Sequence, residues 1–202
     1  MNLPNSLTVT RIFLVPLLVV VLLTKFEGRQ ILGVPKEIVG AAIFALASLT
    51  DWADGYLARR RKQITPLGQV IDPLADKLLT SAALISLVQM DLVQSWMVAV
   101  IIGREFAVTT LRSLAYARGV PMPASSLGKV KMVAQVVAIL ALILAHGQMR
   151  GFYLIGQAAL WVVIVTALVS AADYFRRFND ILSPRVAEFR VPRDQNSGRK
   201  AG

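Results

Sequence analysis

The sequence predicts an all-α integral membrane protein, six transmembrane helices around a polar cavity that opens to the cytoplasm. Three observations carry that prediction. Of 202 residues 55% are hydrophobic and the mean hydropathy is +0.60, too apolar for an ordinary soluble domain. The apolar residues fall into six stretches, each near the roughly 20 residues that span a bilayer core as helix. The end of the second stretch and the start of the third carry four aspartates, Asp51, Asp54, Asp72 and Asp76, in two tight pairs.

The first stretch, 8–24, holds Arg11 and lacks a small-residue cleavage site, so it reads as a retained span rather than a signal peptide. The second, 37–58, runs into Arg59, Arg60, Arg61 and Lys62. The third covers 69–90, the fourth 95–117, the fifth 128–147 and the sixth 152–175. Only helices satisfy the backbone in such segments. The last twenty residues, SPRVAEFRVPRDQNSGRKAG, are polar and contain Pro and Gly. The expected organisation is therefore a six-helix membrane domain over 1–182 and a basic tail over 183–202.

Basic residues set the orientation. Arg59 to Lys62, Arg118, and the tail from Arg176 to Lys200 mark cytoplasmic edges, so both termini should face the cytoplasm. The opposite connections are poorer: Lys25, Arg29 and Lys36 are mixed with Glu27 and Glu37 in the first, Asp91 stands in the third, and His146 and Arg150 in the fifth. Trp96, Phe152 and Tyr153 fit an outer aromatic belt, and Tyr174, Phe175 and Phe178 an inner one. The formal charge of +10 is spread over those edges instead of one recognition element, which points to anionic membrane lipids and not to nucleic acid. The chain has no cysteine, which excludes disulfides, thiolate metal sites and cysteine nucleophiles.

An ionised Asp near hydrocarbon costs about 2.5 to 3.5 kcal/mol, so four together require cations, a polar cavity or a metal. At about 100° per residue, Asp51, Asp54, Gly55 and Ala58 share one narrow helix face. Asp72 and Asp76, four residues apart, also project to one side. With the second helix descending to the cytoplasm and the third rising from it, the two pairs meet at one depth. The fourth helix brings Arg104, Glu105 and Arg112 to that side, and the fifth brings Ser125, Gly128, Lys129 and Lys131. A carboxylate-held divalent cation beside fixed cations is what binding a pyrophosphate and a second phosphate requires.

The run Asp51-x2-Asp54-Gly55-x2-Ala58-Arg59-x8-Gly68-x3-Asp72-x3-Asp76 resembles the signature of the CDP-alcohol phosphotransferases. That resemblance implies that the four aspartates bind one or two Mg2+ or Mn2+ ions. It further implies that Gly55, Ala58, Arg59 and Gly68 accommodate the cytidine diphosphate moiety, and that Asp76 activates the acceptor hydroxyl. Outside the core, Asn5, Thr8 and Arg11, then Arg104-Glu105 and Arg112, then Ser125-x2-Gly128-Lys129-x-Lys131-x3-Gln135, are similar to the branch whose acceptor is sn-glycerol 3-phosphate. Met132 departs from it, where Thr is common. By that similarity Asn5 and Thr8 join the donor site, and Arg104, Arg112, Ser125, Lys129 and Lys131 hold the acceptor phosphate. The resemblance covers about residues 5–135 and also implies a homodimer in a bacterial cytoplasmic membrane.

Structural roles compete at several positions. Asp72 before Pro73 has the pattern of a helix N-cap, Gly55, Ala58 and Gly68 that of small contacts between membrane helices, and Arg104 with Glu105 that of an internal ion pair. Lys129 and Lys131 also have the pattern of interfacial lysines. The expected activity is transfer of a phosphatidyl group from CDP-diacylglycerol to sn-glycerol 3-phosphate with release of CMP. The alternatives are another acceptor in the same family (inositol phosphate, or phosphatidylglycerol), a membrane prenyltransferase, and a divalent-cation transporter.

Overall fold

The computed structural model describes the backbone of residues 3–24, 30–31, 33–61, 66–117, 126–147, 149 and 151–182, and the side chains of those within 10–50, 74–117, 128–149 and 151–179. Six helices follow in order: α1 (Leu3–Leu23), α2 (Lys36–Arg61), α3 (Pro66–Gln89), α4 (Ser95–Ala117), α5 (Ser126–His146) and α6 (Phe152–Leu182). Each grows from one of the six apolar stretches. α6 runs on past the expected 175, since nothing in its polar end, Arg176 to Leu182, breaks a helix. The tail over 183–202 lies outside the described residues.

The all-helical expectation omits one small feature. Between α1 and α2, β1 (Gln30–Ile31) pairs antiparallel with β2 (Val34–Pro35), and Gly33 in the turn has φ +80°, a conformation that costs a residue without Cβ little. Two-residue strands are too short to leave a periodic signal. The hairpin delivers the chain to Lys36, whose buried ammonium donates to the carbonyls of Leu22 (3.0 Å) and Thr24 (3.2 Å). Lys36 thus caps the carboxyl end of α1 and complements its dipole.

α1 packs on α2 and α3, α2 on α5, α4 on α3 and α6, and α5 most extensively on α6. On α6 the buried residues Gly156, Leu160, Val163, Ala167, Ser170 and Tyr174 recur at alternating spacings of four and three, one stripe along the helix. At the crossing with α5 the backbones come close: a Cβ on Gly156 would lie 2.6 Å from Leu142 Cγ and 3.2 Å from Leu142 N. Leu18, Phe44, Leu79, Leu84, Ile101, Ile139, Leu142 and Leu160 fill the centre.

The opposite faces are apolar too. Leu154 is 75% and Phe13 71% exposed, with Leu46, Val133, Val165 and Phe175 similarly outward. So much exposed apolar surface fits hydrocarbon, not water, as its solvent. Among the described residues two helices are long and apolar enough to cross a membrane, Gly128–His146 and Phe152–Asn179, and Thr10–Leu23 is a shorter apolar segment.

Candidate active site

The buried stripes become polar toward one end of the bundle. On α5 the inward residues Ala138, Ile139 and Leu142 give way to Gln135 and Lys131 toward the amino end, and on α6 Val163 and Ala167 give way to Ser170 and Tyr174. Where these polar ends meet, a cavity of about 270 Å³ is lined by Ser48 of α2, Asp76 and Thr80 of α3, Arg104, Glu105 and Arg112 of α4, Gly128, Lys129, Lys131 and Gln135 of α5, and Tyr174 of α6.

Five residues given catalytic or phosphate-binding roles from the sequence therefore share one wall, Asp76, Arg104, Arg112, Lys129 and Lys131, together with Glu105, Gly128 and Gln135 of the same motifs. The side chains of Asp51, Asp54, Gly55, Ala58, Arg59, Gly68, Asp72, Asn5 and Thr8 lie outside the described residues, and so does Ser125. Their helices are described: Asp51, Asp54, Gly55, Ala58 and Arg59 belong to α2, Gly68 and Asp72 to α3, and Asn5 and Thr8 to α1. Ser48, which lines the cavity, stands one turn before Asp51 on α2.

The four lining cations differ in surroundings. Arg104 donates from Nη1 to Glu105 Oε1 at 2.8 Å and from Nη2 to Ser170 Oγ, and its buried Nε has no hydrogen-bond partner among the described residues. Lys131, almost fully buried, donates to the same Glu105 oxygen across the α4–α5 boundary. The internal Arg104–Glu105 pair read from the sequence is thus present, and it is extended to two neighbouring helices. Arg112 and Lys129 are exposed. Beside Asp76, Lys77 donates to Thr109 Oγ1, and Thr109 donates to the carbonyl of Glu105 at 2.7 Å, which ties α3 to α4 at the depth of the site.

Four cations face two carboxylates, Asp76 and Glu105, among the described lining residues, a surplus of two positive charges. Such a surplus favours an anion as ligand, with the two buried cations already sharing Glu105. A phosphate monoester supplies one of matching charge, and charge-assisted hydrogen bonds from Arg and Lys are the strong kind. Oxygen-only donors such as Asp76 suit hard divalent cations; no group of three or more acidic, His or Cys side chains converges among the described residues.

Comparison with known proteins decides the family. The profile for CDP-alcohol phosphatidyltransferase matches residues 1–169. The chain belongs to that family. The protein from Bacillus subtilis (strain 168) named CDP-diacylglycerol–glycerol-3-phosphate 3-phosphatidyltransferase is 45% identical over 185 residues, covering 87% of this chain and 94% of its own. A Rickettsia felis protein of the same name is 36% identical over 177 residues, with 87% and 94% covered. A Mycobacterium tuberculosis (strain H37Rv) protein named probable phosphatidylglycerophosphate synthase is 38% identical over 177 residues, with 87% and 81% covered.

Sequence reasoning missed part of this phosphatidyltransferase cavity. Tyr174, expected in the inner aromatic belt, is buried and lines the cavity, while Phe175 next to it is 60% exposed. The three-and-four spacing from Gly156 through Ala167 to Ser170 and Tyr174 is the signal that would have found both. Ser48 and Thr80 carry no motif. The expected outer belt, Trp96, Phe152 and Tyr153, is exposed, and the Trp96 ring packs on Trp161 at 6.0 Å between centroids.

Proposed function

We propose that this chain is a phosphatidyltransferase that moves the phosphatidyl group of CDP-diacylglycerol to sn-glycerol 3-phosphate, giving phosphatidylglycerophosphate and CMP. The observation that carries the reading is the cavity in which Asp76 shares a wall with Lys131, Arg112 and Lys129, in a chain 45% identical to a relative named for that reaction.

In this reading Asp76 accepts the proton of the glycerol hydroxyl as its oxygen bonds to the β-phosphorus. The phosphoanhydride bond on the opposite side breaks, and CMP leaves with the bridging oxygen. Lys131, Arg112 and Lys129 hold the acceptor's phosphate, with Arg104 contributing its spare Nε–H, so that the hydroxyl is presented to Asp76. Gly55, Ala58, Arg59 and Gly68, with Asn5 and Thr8, form the donor pocket, and Ser125 joins the acceptor site. Asp51, Asp54, Asp72 and Asp76 would hold Mg2+ or Mn2+, which supplies neutralisation of the pyrophosphate and of the departing CMP.

The same reading places six spans in a bacterial cytoplasmic membrane, with the cavity and both termini on the cytoplasmic side and the lipid tails remaining in the bilayer. The outward apolar faces and the basic residues at one set of helix ends support it. The homodimer expected of the family belongs to it as well, and the mass of the detergent-purified protein checks that point. The basic groups lining the cavity would repel a travelling divalent cation, which argues against a transport path. The test is CMP release from CDP-diacylglycerol by purified protein: it should require sn-glycerol 3-phosphate. Equal release with water alone or with an uncharged alcohol would contradict the reading.

A further inference from the structure

Glu105 stands at a junction that the phosphoryl chemistry does not itself require. Its Oε1 accepts from Arg104 on its own helix and from Lys131 on α5, and Arg104 is held in turn by Ser170 on α6. One carboxylate oxygen therefore fixes two cavity cations and links three helices.

The burial of the group makes the link consequential. The side chains of Lys131 and Arg104 are 6% and 9% exposed, that of Glu105 23%. A buried ammonium without a carboxylate would be drawn toward water along its flexible stem or lose its charge. Either change takes a donor away from the cavity. With Glu105 in place, Lys131 Nζ has further donors left for a ligand, and Arg104 keeps its Nε–H. The carboxylate also repels an incoming phosphate, so two opposite effects act on acceptor binding. Orientation should dominate, because one Glu105 oxygen orders two buried cations whereas the repulsion is a single charge beside several cations.

From this we infer that Glu105 is a positioning residue for the acceptor: it holds Lys131 and Arg104 at the cavity wall so that they meet the acceptor's phosphate. The inference rests on the acceptor site proposed above. Its signature lies in the Michaelis constant for sn-glycerol 3-phosphate, not in the chemical step or in donor binding.

The test is a double-mutant cycle on the full-length protein in detergent, made of Glu105→Gln, Lys131→Met and both together. Glu105→Gln should raise the acceptor KM about tenfold or more, the loss expected of one charge-assisted contact, with little change in kcat or in the KM for CDP-diacylglycerol. The double variant removes both charges and so restores the balance that a destabilised single variant lacks. Because Glu105 acts partly through Lys131, the acceptor KM of the double variant should rise by less than the product of the two single defects. An unchanged or lowered acceptor KM in Glu105→Gln overturns the inference, and so does a double variant whose defect is the product of the two single defects. Wild-type acceptor kinetics in Lys131→Met would overturn the acceptor site itself and the role of Glu105 with it.

Discussion

Lys131 on α5 and Glu105 on α4 form an ion pair across the helix boundary, inside the wall of the cavity that Asp76 also lines. The pair gives the deeply buried Lys131 a carboxylate partner, which separates it from the exposed Arg112 and Lys129.

That difference predicts similar acceptor defects but unequal effects on stability. Lys131→Ala and Arg112→Ala should each raise the KM for sn-glycerol 3-phosphate far more than that for CDP-diacylglycerol, with about 1.5 to 3 kcal/mol lost per charge-assisted contact. Lys131→Ala should also lower the melting temperature, since it leaves Glu105 without its partner on α5. Arg112→Ala should leave the melting temperature nearly unchanged. Steady-state kinetics and thermal unfolding of the same preparations check both statements.

Asp76→Asn should reduce kcat by about 10²-fold or more, the usual contribution of a general base, because it removes the proposed proton acceptor and one metal-ligand charge together. Chelation of divalent ions should abolish turnover of the unaltered protein, with recovery on adding Mg2+ or Mn2+. Full CMP release in chelator would exclude the four aspartates as a metal site.

Much of this arrangement was legible in the sequence for a simple reason: a long apolar stretch of about 20 residues announces a helix. The stretch 95–117 coincides with α4, and 152 is the first residue of α6. Asp76, Arg104, Arg112, Lys129 and Lys131 stood out because charged residues are rare within such apolar stretches. What escaped were contacts set by tertiary packing. Lys36 looked like a loop charge, yet it caps α1, and Tyr174 looked interfacial, yet it lies on the inward stripe of α6. The cap does not follow from composition or local spacing, whereas Tyr174 follows only from the spacing of the whole inward stripe of α6.

Packing between α5 and α6 yields a stability prediction. Gly156→Ala places a methyl group against Leu142 Cγ and close to the Leu142 backbone, so neither neighbour can give way cheaply. The cost should be about 1 to 3 kcal/mol, as for overpacking elsewhere, and it should appear as a lower melting temperature in detergent. Unchanged stability would mean that the two helices separate more easily than their close approach implies.

The turn after α3 yields the opposite sign. Asp91 has φ 58°, and Leu92 and Asp91 donate to the carbonyls of Leu87 and Val88, both at 3.0 Å, the hydrogen-bond pattern of a helix that ends through a left-handed residue. Glycine adopts that conformation without a Cβ penalty, so Asp91→Gly should stabilise the protein by up to about 1 kcal/mol, with activity unchanged. A loss of stability would show that the carboxylate makes a compensating contact.

The reaction is tested most directly by mass spectrometry of the lipid formed when the purified protein is given CDP-diacylglycerol together with sn-glycerol 3-phosphate, inositol phosphate, phosphatidylglycerol, serine and inositol in competition. The cations among the described lining residues and the match to the Bacillus subtilis relative predict phosphatidylglycerophosphate as the dominant product, with one CMP released per lipid formed. A dominant product from any other acceptor would contradict the assignment to glycerol 3-phosphate, and failure to release CMP with any of them would contradict phosphatidyl transfer itself.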